Sequence, residues 1–149
     1  MSVDQDTTQD LVKVAEDGKE GYAKGATELE ESDRPDLVPV FTRLSEQRAG
    51  FSDELQALAA TYGDTVEETG SAAAALHRGW MAIRDAVTGS GPESVLKTAV
   101  QGEDHAISAY ETALEKDIGT DTRTVAQRHL AALKAARAEV QALVHSTTK

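Results

Sequence analysis

The apolar positions of the chain recur every three to four residues, which is the spacing of one face of an α-helix. In the first segment this apolar stripe runs through Leu11, Ala15, Gly18, Tyr22 and Leu29. Later segments keep the same periodicity, and none shows the strict alternation that is typical of a strand. The pattern predicts an all-α fold with helices over about residues 7–31, 35–62, 71–88, 92–116 and 121–146.

The breaks between these helices predict how they connect. Short turn-forming stretches at residues 32–35 and 117–121 each join two long helices into an antiparallel hairpin. Residues 63–91 form a longer connection that contains the short helix at 71–88. Two hairpins joined by one long crossover are the connectivity of ferritin-like four-helix bundles, so we expect a single ferritin-like domain over residues 1–149.

Composition narrows the class of protein. Alanine occupies 24 of the 149 positions and aromatic residues make up only 4%, which argues against a β-sandwich or barrel. The longest apolar run, Ala72–Leu76, is far too short to span a membrane, and the first residues lack the apolar core of a signal peptide. The formal net charge of −11 disfavours nucleic acid and anionic membranes as partners. We therefore expect a soluble cytoplasmic protein, and the absence of cysteine excludes disulfides.

Three polar residues fall on the apolar stripes and are the candidates for an internal site. Glu103 lies near the centre of one stripe, Arg48 lies in the middle of another, and His129 lies on the last. A buried carboxylate is costly unless it is paired, and counting from the hairpin turns places Arg48 opposite Gly18 near mid-bundle. We expect a buried ion pair between Glu103 and Arg48, supported by Arg137 at the edge of the last stripe.

Aromatic and histidine side chains complete this predicted core polar cluster. Counting from the second hairpin turn places His129 opposite residues 108–110, so we expect a core histidine that is hydrogen-bonded to a group such as Tyr110. Tyr22 also sits on a stripe, and both tyrosines are expected as core aromatics with paired hydroxyls. In the connection, His77 and Trp80 are expected to anchor the short helix, because Trp80 is the only tryptophan of the chain.

A di-metal centre is the alternative interpretation of the same stripes. Di-iron bundles place a glutamate on each of two helices and a Glu-x-x-His motif on each of the other two. The sequence contains no Glu-x-x-His motif, and Arg48 on the core face would repel a cation. No cofactor is therefore favoured, and iron or manganese stays an open alternative. The candidate ligands for such a metal are Glu103, His129, Glu20, Glu16, Glu46 and Glu54.

Three short motifs resemble those of a known protein family. They are Glu16-Asp17-Gly18-Lys19-Glu20-Gly21-Tyr22, Ala75-Leu76-His77-Arg78-Gly79-Trp80, and Gly102-Glu103-Asp104 followed by Ala109-Tyr110-Glu111-Thr112-Ala113-Leu114. Together they resemble an uncharacterised bacterial family of ferritin-like four-helix-bundle proteins, a domain of unknown function, over almost the whole chain. The resemblance implies a ferritin-like bundle with a short helix in its crossover and no established activity. The wider ferritin-like group implies iron or oxygen chemistry.

Two hypotheses of function follow. The first is a non-catalytic bundle with a binding or structural role, in a stress setting by analogy, with the ion pair in place of a di-metal centre. The second is a ferritin-like redox or storage protein that binds iron or manganese. Assembly into a homo-oligomer is a further expectation, because alanine-rich faces such as Ala72–Ala75 allow close helix approach.

Overall fold

Long helices make up nearly all of the chain that the structure describes. The structure is a computed structural model, and it describes residues 3–61 and 91–147. The helices are α1 (Val3–Glu30), α2 (Val38–Thr61), α3 (Pro92–Leu114) and α4 (Thr120–Thr147), with a short 3₁₀ helix at Pro35–Leu37. These two ranges contain no strand, which agrees with the predicted all-α class. The predicted helix at 71–88, with His77, Trp80 and Ala72–Ala75, lies outside the described residues.

The helix ends follow local chemistry. α1 begins at Val3, earlier than predicted, and Asp4 and Asp6 lie in its first turn, where negative charge favours a helix N-terminus. α3 begins at Pro92, because the fixed backbone angle and missing amide of proline suit the first turn of a helix. The predicted boundaries at residues 92 and 121 are within one residue of the observed ones.

Side-chain hydrogen bonds stabilise the turn between α3 and α4 from two sides. The guanidinium of Arg123 donates to the carbonyls of Leu114 and Lys116, at 3.0 and 3.1 Å. These bonds satisfy carbonyl groups that the end of a helix leaves without a helical partner. The amide of Gly119 donates to the Asp4 carboxylate at 2.9 Å, which fastens the same turn to the start of α1.

Side-chain contacts give the directions of the helices. α1 packs antiparallel to α2, and α3 packs antiparallel to α4, as the two short connections require. Within these hairpins the contacts are Gly25 with Phe41, Gly18 with Arg48, Tyr110 with His129, and Asp104 with Arg137. α1 also contacts α3, and α2 contacts α4. Across these pairs the contacts are Tyr22 with Glu103, Asp10 with Lys116, Arg43 with Glu139, and Glu54 with Arg128.

These contacts make both cross-hairpin pairs antiparallel as well. α2 and α3 consequently run in the same direction: α2 ends beside the start of α1, and α3 begins beside the end of α1. The four described helices therefore form a bundle in which α1 and α4 occupy opposite corners.

The apolar core is divided along the bundle axis. A first apolar cluster lies where α1 ends and α2 begins, and includes Tyr22, Leu29, Phe41, Leu44, Leu96, Ala99 and Val140. A second apolar cluster lies toward the other end and includes Leu11, Ala15, Leu55, Ala106, Tyr110 and Leu133. Arg48 and Glu103 fall between the two clusters in their helices, so the predicted mid-bundle position is the observed one.

One glycine allows the closest approach of two helices in the first apolar cluster. A Cβ at Gly25 would lie 2.7 Å from two ring carbons of Phe41. Only glycine permits this distance, and Phe41 packs edge-on against Tyr22 with ring centroids 5.1 Å apart. Within the described ranges, no helix is long and apolar enough to cross a membrane.

Candidate functional site

A charged centre lies in the middle of the bundle. The Nη2 of Arg48 on α2 donates to the Oε2 of Glu103 on α3 at 2.5 Å, and the two side chains are 2% and 0% exposed. The hydroxyl of Tyr22 on α1 donates to the same Oε2, also at 2.5 Å. Three helices therefore meet at one carboxylate oxygen, while the buried Oε1 of Glu103 has no hydrogen-bond partner among the described residues.

The guanidinium of Arg48 fits a space shaped by its neighbours. A Cβ at Gly18 would lie 3.2 Å from Nη1 of Arg48 and 3.3 Å from its Cγ, so the missing side chain leaves room for the arginine. The guanidinium carbon lies 5.3 Å from the ring centroid of Tyr22, a cation–π distance, and Nε donates to Gln47 at 3.2 Å. Tyr22 thus contributes both its hydroxyl to Glu103 and its ring face to Arg48.

The electrostatics keep Arg48 cationic and Tyr22 protonated. Burial acts to lower the pKa of Arg48, but the attraction and hydrogen bond of Glu103 outweigh it, and the pKa is raised. Burial, followed by the repulsion of Glu103, raises the pKa of Tyr22 well above its usual value. At neutral pH, Tyr22 therefore keeps its proton as a donor and Arg48 stays cationic.

A second polar chain crosses the bundle from its interior to its surface. The hydroxyl of Tyr110 lies 2.9 Å from Nδ1 of His129, and Nε2 of His129 lies 2.7 Å from a carboxylate oxygen of Glu54. The same carboxylate accepts hydrogen bonds from both terminal nitrogens of Arg128. Tyr110 and His129 are buried, whereas the Glu54 side chain is 36% exposed.

The charges of this chain set the direction of its hydrogen bonds. Hydrogen bonds from Arg128, and then from His129, lower the pKa of Glu54 to about 2, so the carboxylate is ionised and accepts. Burial lowers the pKa of His129 despite the opposing effect of Glu54, so the imidazole is neutral at pH 7. Its proton consequently lies on Nε2, facing Glu54, and the free Nδ1 accepts from the Tyr110 hydroxyl. The His129 ring also stacks on Phe51, with ring centroids 3.8 Å apart.

The structure brings together most of the predicted cluster but separates Arg137 from it. Glu103, Arg48 and Tyr22 meet at the centre, and Tyr110 meets His129 as expected. The support expected from Arg137 is wrong, because its guanidinium pairs with Asp104 on the surface of α3. Asp104 follows Glu103 directly and therefore points about 100° away from the core, toward the stripe edge where Arg137 lies.

The candidate metal ligands do not converge. Glu16 accepts from the Ser52 hydroxyl at 3.1 Å and lies 3.6 Å from Lys19, while Glu20 and Glu46 are exposed. Glu54 faces His129, but Glu103 belongs to the separate central pair. In residues 3–61 and 91–147, no three histidine, aspartate or glutamate side chains form a group that could hold a metal ion.

The chemistry of the groups around Glu103 also argues against a metal centre. The Oε2 of Glu103 already accepts from Arg48 and Tyr22, and the adjacent guanidinium carries the positive charge that a metal ion would otherwise supply. These residues do not fit the di-metal centre that the ferritin-like resemblance implies.

Two residues that hold His129 in place were not predicted from the sequence. The sequence predicts Glu54 solely as a candidate metal ligand and does not single out Phe51. In the structure, Phe51 stacks on the imidazole and Glu54 accepts its Nε2 hydrogen bond. The neighbouring Arg128 and His129 of α4 were a usable signal, since a cation beside a buried imidazole favours a carboxylate opposite both. Asp104 was likewise not predicted as the partner of Arg137.

Comparisons with known proteins place the chain within a family. A solved structure of similar fold is that of a conserved hypothetical protein, rv2844, from Mycobacterium tuberculosis, with a TM-score of 0.74 and 15% sequence identity. The match covers 95% of this chain and 97% of the other, and at this identity it shows the fold alone. No curated protein matches the chain. The family described as domain of unknown function (DUF2383) matches residues 5–116, which include Tyr22, Arg48 and Glu103 but end before α4. The chain belongs to this DUF2383 family, in agreement with the expected resemblance to an uncharacterised domain.

Proposed function

We propose that the chain is a ferritin-like bundle with a structural or binding role, in which the Arg48–Glu103–Tyr22 centre replaces a di-metal site. The helix directions support the ferritin-like part of this proposal. α2 and α3 run in the same direction and are separated by about thirty residues, which is the arrangement of a bundle with one long crossover.

The observation that carries the proposal is the position of the Arg48 guanidinium. It supplies the counter-charge of Glu103 from within the chain, in the middle of the bundle. A tethered cation needs no supply of metal and brings no redox chemistry. Tyr22 keeps its proton and Glu103 accepts two hydrogen bonds, so neither group is poised to act on a substrate.

The centre has a structural use instead. A buried ion pair often adds little net stability compared with apolar side chains of the same size, but removing one partner is costly. Tyr22, Arg48 and Glu103 lie on three different helices, so sliding any one helix by a residue breaks at least one of the two hydrogen bonds to Glu103. We infer that the centre fixes the relative register of α1, α2 and α3.

Metal analysis combined with unfolding tests the proposal. We expect protein purified from iron- or manganese-supplemented culture to carry no stoichiometric metal. Glu103→Ala should lower the free energy of unfolding by about 3–5 kcal/mol, because it leaves Arg48 buried without its counter-ion. The matched control is Glu111→Ala on the same helix, an exposed carboxylate whose loss should cost well under 1 kcal/mol.

The opposite result would establish the alternative function. Near-stoichiometric iron or manganese that disappears in Glu103→Ala, but stays in Glu111→Ala, would identify a metal-binding ferritin-like protein. In that case the metal, and not Arg48, would be the counter-charge of Glu103.

Assembly and partners form part of the same proposal. The net charge of −11 supports partners other than nucleic acid. Among the described residues, Val3 is the large hydrophobic side chain that is exposed. A second copy that contacts the described residues would therefore do so through small and polar side chains. Light scattering over a range of concentrations measures the oligomeric state directly. A molar mass equal to that of one chain at every concentration removes the homo-oligomer from the proposal.

A further inference from the structure

The hydroxyl of Tyr110 has a base as its hydrogen-bond partner. Nδ1 of the neutral His129 lies 2.9 Å from the phenol oxygen, and the other ring nitrogen lies 2.7 Å from Glu54. The phenol is 1% exposed, so no bulky substrate reaches it. An electron can leave a buried ring without contact with its acceptor, but a proton needs a hydrogen-bonded path.

We propose that Tyr110 is a redox-active tyrosine, which gives one electron to a high-potential oxidised metal complex at the surface while its proton passes to His129. The O–H bond of Tyr110 breaks and an N–H bond forms at Nδ1 of His129. One electron goes to the oxidant, which is reduced by one unit of charge, and a neutral phenoxyl radical stays on Tyr110. The return of one electron and of the same proton restores the phenol.

The surroundings favour this coupled step over its alternatives. Losing the electron alone would leave a phenol cation in the apolar second cluster, and burying an uncompensated charge is costly. Losing the proton alone is opposed by burial, which raises the pKa of Tyr110. A base already in hydrogen-bond contact allows both particles to leave together.

His129 is placed to hold the proton until the electron returns. Once His129 is protonated at Nδ1, its Nε2–H group still donates a hydrogen bond to the carboxylate of Glu54. This carboxylate is an opposite charge 2.7 Å away. Arg128 on α4 and Arg48 on α2 oppose this added charge, whereas Glu54 on α2 favours it. The Glu54 side chain is 36% exposed, so solvent also stabilises the ion pair that the protonated His129 forms with it.

Tyr22 provides a matched comparison inside the same core. It also donates to a proton acceptor, but that acceptor is Glu103, whose side chain is 0% exposed and bound to Arg48. Protonating Glu103 would leave Arg48 buried without a counter-ion. The redox activity therefore belongs to Tyr110 and not to Tyr22, and it is independent of the role proposed for the Arg48–Glu103 centre.

Flash oxidation of the whole protein tests the inference. Photo-oxidised ruthenium tris(bipyridine), generated with persulfate, supplies the one-electron oxidant, and electron paramagnetic resonance and transient absorption detect the neutral tyrosyl radical. In a Tyr62→Phe background, which removes the third tyrosine of the chain, we expect the radical in the parent protein and in Tyr22→Phe, and its loss in Tyr110→Phe. Circular dichroism establishes that each variant is folded before it is compared.

The role of His129 has its own readout. In His129→Asn, the amide oxygen can accept the hydrogen bond from Tyr110 but cannot hold a proton, so radical formation should slow by about a hundredfold. In the wild-type protein, formation should also be slower in deuterium oxide, which needs no variant. A radical signal that persists in Tyr110→Phe, or a formation rate that neither deuterium oxide nor His129→Asn changes, would overturn the inference.

Discussion

Gly18 of α1 faces the guanidinium of Arg48 on α2, and a Cβ at Gly18 would lie 3.2 Å from Nη1. The Arg48 side chain cannot move away from Gly18 without cost, because its other terminal nitrogen donates to Glu103 at 2.5 Å. Gly50 of α2, by contrast, has no atom within 4 Å of the place where its Cβ would be. The two helical glycines therefore differ in packing but share the same backbone conformation.

This difference makes alanine substitution informative. Glycine inside a helix costs about 0.5–1 kcal/mol relative to alanine, so Gly50→Ala should raise the free energy of unfolding by about that amount. Gly18→Ala gives the same favourable backbone contribution to the free energy of unfolding but displaces Arg48. It should therefore be neutral or destabilising. Urea unfolding of both variants measures the difference. Equal stabilisation by the two substitutions would mean that Arg48 adapts without loss.

Gly25→Ala should be more damaging than either. Its Cβ would lie 2.7 Å from two ring carbons of Phe41, a distance that real contacts essentially never show. Since Phe41 is fully buried, the ring or the backbone of α1 must move, and overpacking of this kind typically costs about 1–3 kcal/mol. In the double variant Gly25→Ala with Phe41→Leu, the smaller side chain should recover part of that loss, as urea unfolding would show.

A double-mutant cycle isolates the central ion pair. Glu103→Gln keeps an acceptor for Tyr22 but leaves Arg48 without a counter-ion, and Arg48→Met leaves the Glu103 carboxyl group buried without its cationic partner. Each single variant should be strongly destabilised, by about 3–5 kcal/mol, whereas the double variant should lose less than the sum of the two. Strict additivity in urea unfolding would show that Arg48 and Glu103 are not energetically coupled.

Asp17 should make the fold less stable as the pH rises. Burial, and then repulsion by Glu20, raises the pKa of Asp17 to about 8 from an ordinary value of 3.8. Between these two values the folded chain holds a proton that the unfolded chain has released, so each step up in pH favours unfolding. The slope should approach about 1.4 kcal/mol per pH unit in the middle of this window.

Asp17→Asn separates this effect from other titrations. The variant should lack the loss of stability between pH 5 and pH 8, as measured by urea unfolding at each pH. Glu20→Gln is the matched comparison, because it removes the repulsion and should lower the pKa of Asp17 without removing the group. A wild-type stability that rises from pH 5 to pH 8 would contradict the assignment.

Glu54 should support the proton affinity of His129. Burial lowers the pKa of His129, and the carboxylate of Glu54 opposes that shift, so Glu54→Gln should lower the pKa further. NMR titration of the imidazole signals measures it. The control is Glu139→Gln, which removes the carboxylate of another ion pair between α2 and α4 and should leave His129 unchanged. A rise in the pKa of His129 in Glu54→Gln would refute a hydrogen bond donated by Nε2 to the Glu54 carboxylate.

The sequence predicts the burial of residues on an apolar stripe and the contacts within one hairpin, and it also predicts the Arg48–Glu103 pair between α2 and α3, because both residues lie near the middle of the bundle. Glu103 and Arg48 were expected to be buried because a helix advances about 100° per residue, and the Tyr110–His129 contact followed from the short turn between α3 and α4. The predicted contact of Arg137 with the central pair was wrong, because a long side chain at a stripe edge can point toward the core or toward the surface. Arg137 pairs with the exposed Asp104. The contacts of Glu54 and Phe51 with His129 join α2 to α4, whose register no short turn determines.

The two exposed ion pairs between α2 and α4 have a consequence for helix orientation. Arg43 pairs with Glu139, and Glu54 pairs with Arg128; in each helix the two charges are eleven residues apart, about three turns. If α4 ran the opposite way along α2, Arg43 would face Arg128 and Glu54 would face Glu139, placing like charges together at both positions. The order of charges along these helices therefore selects against the reversed bundle, although each pair alone contributes little to stability.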